Sequence, residues 1–207
     1  MCGRISQAND LSDYIETIRW TPYALLEDPV GPRYNVPAGT RPLVMHRLGN
    51  GDEKLDRIFW GYARPRSRQS PNSNASVKAL LNNNDYWKNL FEYGRVIVPA
   101  DGWYEWKGRK PNKEPWFIHA KDGQPVLLAA ISAWHPGDEH GKYHGMAVVT
   151  DDDARGVIDL HDRRPIVLMP DDAAEWINPA TTTCQAKELF SAARPESAFE
   201  WCRATLQ

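Results

Sequence analysis

Hydrophobic residues along this chain gather in short alternating or continuous runs broken by turn residues, a strand pattern. The runs "RPLVMHRL" (41–48) and "LDRIFWG" (55–61) flank an Asn50–Gly51 dipeptide, which predicts a hairpin. Further strands are predicted in "RVIVPA" (95–100), "GWYEWK" (102–107), "PWFIHA" (115–120), "PVLLAAISA" (125–133), "GMAVVT" (145–150) and "PIVLM" (165–169). Helical spacing is clearest over 9–20, where Leu11, Tyr14, Ile15 and Ile18 share one face and Asn9 or Asp10 can cap the start. Other helices are expected around 82–92, 152–159, 171–177 and 183–192, making 181–207 a C-terminal helical segment. The sum is a single α+β domain over 1–207, with a mostly antiparallel, curved sheet and short helices outside it.

Composition narrows the class. With 207 residues, 42% of them hydrophobic, the chain can bury one sizeable core. No apolar run approaches the ~20 residues a membrane span needs, and no leader is evident, so a cytoplasmic protein is expected. Three cysteines, at 2, 184 and 202, exclude a disulfide framework and a paired-cysteine metal motif. Cys184 and Cys202 are expected to pack inside the fold. His135, His140 and His144 follow no ligand spacing. Neither a metal nor another cofactor is expected.

The net charge of −2 hides an uneven distribution. From Gly61 to Asn84 there is no acid, against Arg64, Arg66, Arg68 and Lys78, and a second basic spot is Arg163–Arg164. Two readings fit: a solvated basic loop, or a patch that holds phosphates.

Four residues carry candidate chemistry. Cys2 is a frayed terminal cysteine or, once Met1 leaves, a free amine and a thiol on adjacent carbons. Ordinary values near ~8 and ~8.5 make both partly active nucleophiles without tuning. That pair can trap an aldehyde, first as an imine and then as a five-membered thiazolidine. Glu105 shares a strand face with Trp103, where a dry setting would raise its pKa and suit it to proton transfer; the alternative is a surface pair with Lys107. His161, in "VIDLHDRRP", is a proton shuttle beside phosphate-fixing arginines or a turn residue. Asn74 is a substrate-orienting amide or a loop asparagine. In "RYNVPAGT" (33–40), Arg33 and Asn35 are functional or structural.

Taken in order, "MCGR", "RYNVPAGT", "FWGY", Asn74–Ala75, "ADGWYEWK" and "DLHDRRPIVL" resemble the SRAP family, the SOS response-associated peptidases, over residues 2 to about 180. The resemblance implies a barrel-like core over a basic groove and capture of abasic sites in single-stranded DNA, whose ring-opened sugar offers an aldehyde. It implies Cys2 as the crosslinking nucleophile, Asn74 orienting the sugar, Glu105 as acid/base and His161 assisting ring opening. Arg4, Thr150 and Arg163 would meet the DNA backbone, with Asn35 beside them. It further implies a monomer and a self-processing removal of Met1. This chain departs from the family's "NAR" by carrying Asn74–Ala75–Ser76, and has Arg64, Arg66 and Ser67 where aromatic residues are usual. Arg66, Arg68 and Lys78 are therefore expected to replace the missing phosphate contact near Ser76. Three other classes remain open: an N-terminal-nucleophile amidohydrolase, a cysteine protease pairing Cys2 with His161, and a DNA-binding module without chemistry.

Overall fold

The computed structural model describes residues 2–20, 31–108, 111–151 and 163–205. Its elements begin with β1 (Arg4–Gln7), α1 (Leu11–Ile18), β2 (Arg33–Pro37), β3 (Leu43–His46), β4 (Lys54–Arg57) and β5 (Asn74–Ser76). Next come α2 (Val77–Leu81), α3 (Lys88–Tyr93), β6 (Arg95–Ala100), β7 (Gly102–Lys107), β8 (Glu114–Ala120) and β9 (Val126–Ser132). The chain continues through β10 (Met146–Asp151), β11 (Arg164–Pro165), β12 (Val167–Leu168), α4 (Pro170–Trp176), α5 (Thr183–Glu188) and β13 (Phe199–Arg203).

The strands make two sheets. One has five strands in the order β13-β8-β7-β1-β2; the other has eight, running β11-β10-β9-β6-β3-β4 with β12 on β9 and β5 on β10. Among the described residues every ladder between these strands is antiparallel except that of β5 with β10. The α+β architecture agrees with the sequence, but the strands do not close into a barrel. Among the described residues no ladder joins the two sheets.

The continuous apolar runs have a simple cause. The eight-stranded sheet is covered on both faces, so its central strands need hydrophobic residues at every position. In β9, Val126, Leu128 and Ala130 face the five-stranded sheet, whereas Leu127, Ala129 and Ile131 face the helices. The β3–β4 hairpin forms where Asn50–Gly51 predicts it, though the strands stop at His46 and resume at Lys54.

Of the helix expected over 82–92 only the part in α3 forms, and α2 precedes it. Ser76 accepts from the Ala79 amide and starts α2 earlier, and Asn83 takes a left-handed φ of 50° that ends it before α3. The C-terminal segment is helical only in part. Beyond α5 and a 3-10 turn over Glu196–Ala198, β13 pairs with β8, and Phe199 packs on Trp103 at 5.2 Å. The open ladder of β8 supplies the hydrogen bonds that make this stretch a strand. Cys184 and Cys202 are exposed, contrary to expectation. Cys202 faces outward because the alternation that buries Phe199 turns it away. The expected helix at 152–159 lies outside the described residues.

Two anchors fix the layers. The buried Arg95 guanidinium donates to the carbonyls of Phe91, Glu92, Trp176, Asn178 and Thr181, tying α3, α4 and the turn before α5 to the sheet. Asp101, in the β6–β7 turn, accepts from Ser6 Oγ (2.6 Å), the Ala8 and Asn9 amides and the Tyr14 hydroxyl. The turn is tight: a Cβ on Gly102 would lie 2.1 Å from the Ile118 carbonyl oxygen.

Replacing Arg95 with methionine leaves buried carbonyls without donors, and should lower stability by about 3 kcal/mol. Urea denaturation checks this through a lower midpoint at unchanged slope.

Candidate active site

The two residues before β1 carry Cys2 between the sheets. β1 is paired on both edges, Ile5 with Val36 of β2 and with Trp103 of β7, and the Gly3 carbonyl accepts from the Ala38 amide at 3.0 Å. Cys2 is fully buried, and its carbonyl accepts from Asn74 Nδ2 at 2.9 Å.

Asn74 reaches this position because β5 lies on β10, Asn74 beside Val148. The "FWGY" stretch supports it from behind. Trp60 Nε1 donates to the Ser73 carbonyl at 2.9 Å, and the backbone of Phe59 and Gly61 bonds to Met146. A Cβ on Gly145 would sit 2.0 Å from the Gly61 carbonyl oxygen, so this crossing requires glycine there.

Glu105 points inward from β7 with Trp103, as alternation predicts, while Trp106 faces out. Burial pushes its pKa up to about 7, against the opposing pull of the chain's terminal ammonium and Lys113. Cys2 responds to the same dry surroundings: burial, then the charge of Glu105, push its thiol far above the ordinary range. The expectation of a partly ionised thiol without tuning is thus corrected, because no water reaches the sulfur to solvate a thiolate.

The other candidate residues divide by location. Arg4 Nη1 donates to Asn35 Oδ1 at 2.8 Å and lies over the Trp106 ring at 5.6 Å, placing a cation on the outer face beside the terminus. Asn35 holds a left-handed φ of 53°. Thr150 is fully buried on β10, opposite Ser76 and Pro165. Ser76 already caps α2. Arg163 is partly buried just before β11; His161 lies outside the described residues. Arg66, Arg68 and Lys78 are exposed, and Arg66 takes a φ of 66°. Lys78 and Arg164 stand on the walls of a groove of about 730 Å³ beside α2. The structure therefore brings Cys2, Asn74 and Glu105 together and leaves Arg66 and Arg68 on a separate exposed loop.

The profile of the family described as SOS response associated peptidase (SRAP) matches residues 1–205. The chain belongs to the SRAP family. It is 38% identical to the abasic site processing protein YedK of Escherichia coli over 97% of this chain and 90% of that one. It is 28% identical to the abasic site processing protein YoqW of Bacillus subtilis over 88% and 82%. The fold matches the crystal structure of a phage-related protein of Bordetella bronchiseptica with a TM-score of 0.88, at 44% identity over 99% of this chain and 95% of that one.

One wall of this SRAP site escapes a residue-by-residue reading. Trp116 on β8 lies directly across from Glu105. Pairing "GWYEWK" with "PWFIHA" as a hairpin would have found it, but the register depends on how the intervening loop closes.

The raised pKa makes a stability prediction. Glu105 favours its protonated form in the folded state, so the stability it contributes is full below about pH 4.5 and lost as pH rises through about 7. Glu105→Gln should therefore melt higher than wild type at pH 8, by the equivalent of at most about 3 kcal/mol, and equally at pH 5. Paired thermal melts at the two pH values check this.

Proposed function

We propose that this protein captures abasic sites in single-stranded DNA as a monomer in the cytoplasm, through a covalent thiazolidine link to Cys2. The observation that carries this reading is the burial of Cys2 beside Glu105, with its carbonyl held by Asn74. The abasic-site names of the bacterial relatives support it.

The chemistry balances without a cofactor. Hydrolysis of the Met1–Cys2 bond by one water releases methionine and frees the Cys2 amine. The amine nitrogen adds to the aldehyde carbon of the ring-opened sugar, and loss of one water gives an imine. The sulfur then adds to the carbon of the protonated imine, so that the nitrogen keeps its hydrogen and the thiol proton passes to Glu105. Glu105 serves both halves. Protonated, it donates to the departing hydroxyl; as the resulting carboxylate, it accepts the proton of a thiol that burial keeps neutral. A pKa near 7 suits both directions. Asn74 orients the terminus and the sugar, and the family resemblance adds His161 for ring opening.

Arg4 and Arg163 supply phosphate contacts beside the site, with Asn35 fixing Arg4 and Thr150 offering its hydroxyl. Ser76 cannot replace an arginine, because it is short and engaged as a helix cap. Arg66, Arg68 and Lys78 take over that charge.

Two measurements test the proposal. Intact mass spectrometry should find Met1 absent, and incubation with an abasic oligonucleotide should add the mass of the oligonucleotide less one water. Cys2→Ala keeps the amine but not the sulfur, so its adduct should survive only after borohydride reduction; a stable unreduced adduct from it would refute the thiazolidine. Changing Arg66, Arg68 and Lys78 to alanine should flatten the slope of log affinity against log salt by about 2. An unchanged slope removes these residues from the interface.

A further inference from the structure

Polar side-chain atoms sealed from water nearly always have a hydrogen-bond partner. Two that lack one among the described residues belong to the walls of the site: Thr150 Oγ1 and Trp116 Nε1. A third, Trp20 Nε1, lies beyond α1 and adjoins undescribed chain. Trp116 stands opposite Glu105 in the β7–β8 ladder and packs against the core cluster that contains Cys2. The residue is partly exposed, yet its nitrogen is buried.

An indole nitrogen can only donate. No acceptor among the described residues serves it, and Glu105, directly across the ladder, is not bonded to it. Sealing an N–H away from water without a partner costs about 1–3 kcal/mol, whereas a phenylalanine ring would fill much the same space without that cost. The free fold gains nothing from this nitrogen. A group that arrives with the substrate accounts for it.

We propose that Trp116 is a substrate-binding residue whose indole N–H donates a hydrogen bond to an oxygen of the opened deoxyribose held between Cys2 and Glu105. The inference rests on the abasic-site reading above. The sugar is rich in acceptor oxygens, and the donors near it are few. Asn74 has one N–H committed to Cys2, and Arg4 is engaged with Asn35 on the outer face. Trp116 supplies a neutral donor from the same sheet face as Glu105, where a cation would further depress the carboxyl's affinity for its proton.

The test separates this inference from the covalent reading. In a Cys2→Ala background, which forms no thiazolidine, dissociation constants are measured by fluorescence anisotropy with and without Trp116→Phe. The probes are an abasic oligonucleotide and an undamaged one of the same flanking sequence. Trp116→Phe should weaken abasic-site binding about fivefold, leave the undamaged oligonucleotide unaffected, and leave the melting temperature of the free protein unchanged or higher. An unchanged abasic-site constant overturns the inference, as does an equal loss on both oligonucleotides. So does a melting temperature lower by more than about 3 °C, which would mean that the nitrogen serves the fold. Absence of any adduct with the unsubstituted protein would refute the covalent reading and leave these comparisons decisive for Trp116.

Discussion

Residues close to a chain end normally fray, and the candidate site depends on one, Cys2, that is buried and held. β1 is only four residues long, yet it is hydrogen-bonded along both edges and clamped at both ends. At the inner end, Asn74 and Ala38 hold the backbone of Cys2 and Gly3. At the outer end, the Asp101 carboxylate gathers Ser6, Ala8, Asn9 and Tyr14. Without these clamps, ordering the terminal residues would cost about 1–2 kcal/mol each in lost backbone freedom. With them, Cys2 enters the space between the sheets.

That location sets the chemistry. The dry surroundings of Cys2 raise both its thiol and the Glu105 carboxyl, so at neutral pH the thiol is neutral while the carboxyl is divided between its acid and its carboxylate. A neutral thiol next to a carboxyl that titrates near 7 is a poor free nucleophile and a good partner in a stepwise proton exchange. The same dryness leaves Thr150 and Trp116 with uncommitted polar atoms, as in a site that a ligand completes.

The basic surface is looser. Arg66 and Arg68 project from an exposed loop that rests on its neighbours through backbone contacts, such as Lys142 Nζ to the Ser67 carbonyl. Charges on such a loop act at a range set by salt rather than by fixed geometry. The charge of this stretch can therefore change without disturbing Cys2, Asn74 or Glu105.

Much of this was legible in the chain itself. Alternation put Glu105 on one face with Trp103, and the apolar runs now forming β6 and β9 marked strands, because side-chain direction follows local backbone geometry. Local signals failed where the outcome belonged to a distant partner. Ser76 became a helix cap, the residues after 198 became a strand because β8 had an open edge, and Cys202 turned outward with them. Two sheets formed in place of a barrel through pairings that no local pattern encodes. The sequence by itself determined which residues can do chemistry, since amine, thiol and carboxyl are fixed by residue type. Only the tertiary structure decided that Cys2, Asn74, Glu105 and Trp116 share one dry space, because burial and register arise from segments far apart in the chain.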